Sequence, residues 1–132
     1  MVQNRHADKL GGDRWDVSAT SHVRSNENFA SAIRRCLAHE LGIIRSFNPS
    51  YLLSYTYQEK LGTSTENEYC SLFVIPYDGE IVPNRNELVE YRWVSLTQLT
   101  NWYRADSNQF TRWFGEAFER FLRYSNEVRF NG

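Results

Sequence analysis

Ser25-Asn26-Glu27-Asn28-Phe29-Ala30-Ser31-Ala32-Ile33-Arg34-Arg35-Cys36-Leu37-Ala38-His39-Glu40-Leu41-Gly42-Ile43 is the stretch on which the fold turns. Phe29, Ala30, Ile33, Leu37 and Leu41 recur at helical spacing, so one face is apolar. Ser25 and Asn26 are N-cap types ahead of that stripe, and Gly42 follows it where a left-handed residue ends a helix. The pattern predicts a helix over residues 27–41. Cys36 and Glu40 are four apart and share a face. Glu40 falls in the last turn, where the helix dipole disfavours a negative charge. A carboxylate there is either solvated or helps to hold a cation.

A second acidic feature lies downstream, in Glu66-Asn67-Glu68-Tyr69-Cys70. Alternate residues of a strand point to the same face, with a rise of ~3.3 Å per residue. Glu66 and Glu68 therefore point together, ahead of the apolar run Cys70-Ser71-Leu72-Phe73-Val74-Ile75, which is expected in a core. Two carboxylates at the mouth of a buried strand need a cation, a basic side chain or water to offset their charge. A divalent metal site is the first expectation.

The chain has 132 residues and a net charge of −1. That length suits one domain over 1–132, and the charge balance offers no basic stripe for nucleic acid. No apolar stretch is long enough for a bilayer, and the start lacks the form of a signal peptide. Two cysteines, Cys36 and Cys70, suit a reducing, cytoplasmic setting and read as small apolar residues. Residues 1–14 read as polar and irregular. Strands are expected at Trp15–Ala19, Tyr51–Tyr57 and Glu90–Val94, with turns at Gly62–Thr65 and Asp78-Gly79. Ser95-Leu96-Thr97-Gln98 has capping-box form, and Thr111 can cap a last helix striped by Phe114, Ala117, Phe118, Phe121 and Leu122. Strands interspersed with helices give an α/β layered domain.

From Ser21 to Ile43 the chain resembles the Nudix box, with Glu27, Arg35, Leu37, Glu40, Gly42 and Ile43 in register. Ser21, Cys36 and His39 stand where that box carries Gly and two Glu. The resemblance is nearer to the type 1 isopentenyl diphosphate isomerases and their bacterial relatives. It rests on Trp15-Asp16-Val17-Ser18-Ala19-Thr20-Ser21-His22, Glu40-Leu41-Gly42, Glu66-Asn67-Glu68, Tyr57, Tyr91-Arg92-Trp93-Val94-Ser95-Leu96 and Phe110-Thr111-Arg112-Trp113-Phe114. It covers roughly residues 4 to 114.

That resemblance implies a Nudix α/β/α sandwich with a mixed β-sheet. It implies metal ligation by His22, Glu40, Glu66 and Glu68, with Mg²⁺ or Mn²⁺ as the ion and Glu40 and Glu68 as catalytic groups. It implies that Arg5 and Lys9 hold phosphate, and that Arg35 is structural, pairing with an acid of the box. Thr20 takes the position of the isomerases' catalytic Cys, and a hydroxyl is too weak an acid for that proton transfer. The isomerases' first strand, with two further His ligands, has no counterpart ahead of Met1, so a missing first strand and an exposed sheet edge are expected, which allows a homodimer. The leading expectation is metal-dependent hydrolysis of a diphosphate linkage in a nucleoside diphosphate derivative. The alternatives are an isopentenyl diphosphate isomerase-type enzyme and a non-catalytic domain that binds a nucleotide or a protein.

Overall fold

The computed structural model describes residues 1–131, with side chains for all of them except Leu61 and 128–131. The elements run β1 (Val2–Arg5), β2 (Trp15–Asp16), α1 (Phe29–Leu41), β3 (Ser50–Leu61), β4 (Ser64–Val74), β5 (Leu88–Arg92), α2 (Leu96–Ala105), a 3₁₀ turn (Ser107–Gln109) and α3 (Arg112–Asn131). This is the α/β content that the sequence led one to expect. The chain packs as two compact units, Met1–Arg45 with Gly79–Gly115, and Ser46–Asp78 with Glu116–Gly132. No helix among the described residues is long and apolar enough to cross a membrane.

The first unit is built on a three-stranded antiparallel sheet in the order β2-β1-β5. Trp15 also forms an isolated parallel bridge to Phe110. Successive strand residues face opposite ways. Trp15 meets Trp102 of α2 at 5.1 Å, while Asp16 and Gln3 act on Glu40 of α1. The two helices thus cover opposite faces, in three layers. On the α2 side an aromatic cluster links Trp15, Trp102, Phe110 and Phe114, with Phe110 and Phe114 stacked at 4.6 Å.

Local signals place the helices. Asn28 caps α1 in a capping box with Ser31, two residues inside the expected caps. Gly42 ends it at φ 65°, and a Cβ there would lie 2.8 Å from both Val82 Cβ and the Val82 carbonyl. Glycine is required for its backbone conformation and for its size. Ser95 and Gln98 form the expected capping box of α2, and Thr111 Oγ1 accepts from the Phe114 N–H at the start of α3.

Two expectations are corrected. Residues 1–14 are not irregular throughout, because β1 occupies Val2–Arg5 with Val2 and Gln3 buried. Val-Gln-Asn-Arg has little strand propensity of its own, and pairing on both sides supplies what it lacks. The run 70–75 is also not a buried core segment. Val74 is exposed, and the other residues of the run are half-buried. In the second unit β3 and β4 form a long two-stranded hairpin turning at Gly62 and Thr63. Among the described residues, the helix of that unit is the part of α3 from Glu116 on, where Arg120 lies 4.5 Å over the Tyr55 ring and pairs with Glu116 at 2.6 Å.

Asp16 fastens the first unit. Its side chain is fully buried and accepts from Val17 N at 2.7 Å, Trp113 Nε1 at 2.8 Å, Thr111 Oγ1 at 3.2 Å and Arg5 Nη1 at 3.3 Å. Burial pushes its pKa up, and these donors pull it back down. Removing one partner of a buried ion pair strands the other, at about 3–5 kcal/mol. Asp16→Ala should therefore lower stability by about 3 kcal/mol or more, measured by urea unfolding. Asp16→Asn, which keeps one acceptor oxygen, should lose less.

Candidate functional site

Glu40 lies in the last turn of α1, 5 % exposed. One turn earlier, Cys36 donates its thiol proton to Glu40 Oε2 at 2.8 Å. Burial raises the Glu40 pKa and Asp16 adds to the rise, against Cys36, Arg5 and Gln3, which lower it. The Cys36 thiol is raised by its own burial and by Glu40, so it is held as a neutral donor. Beside Glu40, Gln3 is fully buried and donates Nε2 to the Ser18 carbonyl at 2.8 Å. Its Oε1 has no hydrogen-bond partner among the described residues. Cys36 and Gln3 both hydrogen-bond the Glu40 carboxylate, and a carboxylate with an amide oxygen in the same neighbourhood offers the donor type that a hard divalent cation takes.

The cations expected to hold phosphate are engaged within the chain. Arg5 Nε donates to the Leu10 carbonyl at 2.8 Å, Nη1 meets Asp16, and the guanidinium lies 5.8 Å from the Trp113 ring centroid. Its side chain is 13 % exposed. Lys9 Nζ lies 3.1 Å from Glu87 Oε1, and His39 Nε2 lies 3.0 Å from the same oxygen. His39 and Lys9 together hold the Glu87 pKa below the usual carboxylate range. Glu87 also anchors the loop through its carbonyl, which accepts from the His6 N–H at 3.0 Å.

His22 is exposed in an irregular loop. Arg35 pins that loop to α1 by four contacts, with Nε and Nη2 on Glu27 at 2.8 and 2.9 Å, Nη2 on the His22 carbonyl at 2.9 Å and Nη1 on Ser21 Oγ at 3.1 Å. Glu27 is lowered to about 2, first by the Arg35 hydrogen bond and then by the Arg24 N–H. Thr20, on the same loop, is exposed.

Glu66 and Glu68 belong to the second unit, on one face of β4. Glu66 is exposed and stands opposite Glu59, and Glu68 is half-buried opposite Tyr57. Tyr57 donates to Glu59 Oε2 at 3.1 Å. Glu59 joins the two predicted carboxylates on this face. The alternation Tyr55, Tyr57, Glu59 carried that signal, but only with the hairpin register. Among the described residues, no group of three or more His, Cys, Asp or Glu side chains is placed to hold a metal ion. Gln3, Asp16 and Glu87 are the other residues not singled out from sequence, because each acquires its role from a distant partner.

The NUDIX domain profile matches residues 1–114. Isopentenyl-diphosphate Delta-isomerase 2 of Aromatoleum aromaticum is 32% identical over 124 residues, covering 92% of this chain and 65% of that protein. Isopentenyl-diphosphate Delta-isomerase 1 of the same organism is 30% identical over 135 residues, covering 98% of this chain and 73% of that protein. The isomerase of Burkholderia multivorans is 28% identical over 121 residues, with 91% and 68% covered. The chain spans about two thirds of the length of these relatives.

The Arg35 clamp should titrate in acid. Glu27 has a lowered folded pKa, so its contribution is complete above the ordinary value of 4.5 and is lost as pH falls through about 2. Protection of the 21–27 amides in hydrogen exchange should decline over that window. Arg35→Leu should remove the protection at every pH.

Proposed function

Because the chain belongs to the Nudix family, whose profile covers residues 1–114, we propose that it acts on a small diphosphate ester with Mg²⁺ or Mn²⁺, and that isopentenyl diphosphate is the substrate to test first. The observation that carries this reading is the buried Glu40 carboxylate, set in the box helix beside Gln3, whose Oε1 has no hydrogen-bond partner among the described residues. Mg²⁺ is commonly bound by one or two protein carboxylates together with substrate phosphates and water. Glu40 would supply the carboxylate and Gln3 a further oxygen. The ion, when bound, would neutralise phosphate charge and polarise the phosphorus–oxygen bonds. Lys9, 37% exposed, can turn from Glu87 to a phosphate oxygen at small cost. Arg5 is less free to do so, since its partner Asp16 is fully buried.

Hydrolysis, the leading expectation from sequence, takes second place because the named relatives are isopentenyl-diphosphate Delta-isomerases. One residue keeps it in play. Thr20 stands where the resemblance puts a catalytic thiol, and a positioned general acid is typically worth about a hundredfold or more in rate.

The test is deuterium incorporation into isopentenyl diphosphate in heavy water with Mg²⁺, followed by NMR. Incorporation should be slow in the native chain, absent in Glu40→Gln and raised about a hundredfold in Thr20→Cys. Phosphate release without incorporation would replace this reading with hydrolysis. Neither activity, together with no Mn²⁺ binding by calorimetry, would reduce the protein to a binding domain on a Nudix scaffold.

A further inference from the structure

The end of α1 that carries Glu40 is capped from outside the helix. A helix leaves the carbonyls of its last turn without intrahelical partners, and its end frays unless they find others. In α1 these are the carbonyls of Ala38, His39, Glu40 and Leu41. The Gly42 N–H takes Ala38 at 3.2 Å. A distant turn takes the rest. The Val82 N–H donates to the Leu41 carbonyl at 2.9 Å, the Asn84 N–H to the Glu40 carbonyl at 2.9 Å, and Asn84 Nδ2 to the His39 carbonyl at 3.1 Å. Pro83, between the donors, has no N–H to leave unsatisfied. All of these residues belong to the first unit.

The donors act on Glu40 in two ways. They fix the backbone of the turn from which its carboxylate projects. They also set N–H groups against the negative end of the helix dipole, which eases the repulsion between that end and the Glu40 charge.

Asn84 builds the turn as well as closing the helix. Its Oδ1 accepts from the Asn86 N–H at 3.1 Å, and its carbonyl accepts from Glu87 at 2.9 Å and Leu88 at 3.1 Å. Glu87, placed in this way, meets Lys9 Nζ with its carboxylate at 3.1 Å and the His6 N–H with its carbonyl at 3.0 Å. Asn84 is thus bonded on one side to the backbone of Glu40 and on the other to the residue that holds Lys9. An amide suits the position because it carries a donor and an acceptor on one short side chain. Aspartate would lack the donor and would set a negative charge against the helix end.

We propose that Asn84 is a positioning residue for the site. It holds Glu40 and the Lys9 partner Glu87 in one frame, so that the carboxylate for a cation and the ammonium for a phosphate keep a fixed relation. The proposal rests on the reading of Glu40 as a cation ligand.

The test is Mn²⁺ titration of the full chain by calorimetry, with Asn84→Ala, Asn84→Ser and Arg85→Ala. Serine can still accept from Asn86 but is too short to reach the His39 carbonyl. Arg85 stands in the same turn, and its side chain donates to the Val89 carbonyl instead of to α1. Both Asn84 variants should bind Mn²⁺ about tenfold or more weakly at unchanged stoichiometry, since groups that orient a metal ligand are typically worth about 10- to 100-fold in affinity. Arg85→Ala should bind like the native chain. A residue that only supports folding would lower the number of sites and leave the affinity of the folded fraction unchanged. Hydrogen exchange adds a readout without metal: in Asn84→Ala the Val82 amide on α1 and the His6 amide ahead of Lys9 should lose protection together. Native affinity in both Asn84 variants, sites lost without a change of affinity, an equal loss in Arg85→Ala, or protection lost at only one of the two amides would overturn the positioning role and leave the cation reading standing. A native chain that binds no Mn²⁺ would overturn that reading and the proposal with it.

Discussion

The buried carboxylate of Asp16 is the constraint on which the first unit depends. β2 has only two residues, too few for a ladder to hold it in place. What holds it is one side chain that gathers donors from β1, from the residue after itself and from the start of α3. The backbone adds the Thr111 N–H on the Trp15 carbonyl at 2.8 Å. A carboxylate so deeply buried is tolerable only when its lone pairs are taken and a cation stands near, and both conditions are met.

The same charge reaches the candidate site. Asp16 raises the pKa of Glu40 and Arg5 lowers it, so anchor and site share one electrostatic neighbourhood. Glu40 is left buried, its carboxylate hydrogen-bonded by the Cys36 thiol and by Gln3. Such an arrangement costs stability in a purely structural role, because burying a carboxylate is unfavourable even with two donors on it. A bound cation would offset that cost.

The basic residues of this unit are ranked by how firmly the chain's own acids hold them. Arg35 is bound to Glu27 through two nitrogens and to the loop through two more contacts, so it fixes backbone. Arg5 is bound to a fully buried acid. Lys9 shares a single oxygen with His39 at a more exposed position, where an ion pair is worth about 0–1 kcal/mol. An incoming phosphate would find Lys9 the easiest of the three to recruit.

The local features were legible in the chain itself. The α1 stripe with its Gly42 stop, the Ser95–Gln98 box and the Thr111 cap are contacts between residues a few positions apart, and such contacts are written directly in spacing. The resemblance to the Nudix box and to the isomerases was legible for the same reason, as runs of residues at fixed intervals. β1, the four donors on Asp16 and the partner of Lys9 were not. Val-Gln-Asn-Arg becomes a strand only between two others, and Thr111 reaches Asp16 across 95 positions of sequence. Propensity and periodicity report a residue's neighbours along the chain. Burial and ion pairing depend on neighbours in space, and for this protein only the tertiary structure decided which acid takes each cation and which carboxylate is buried.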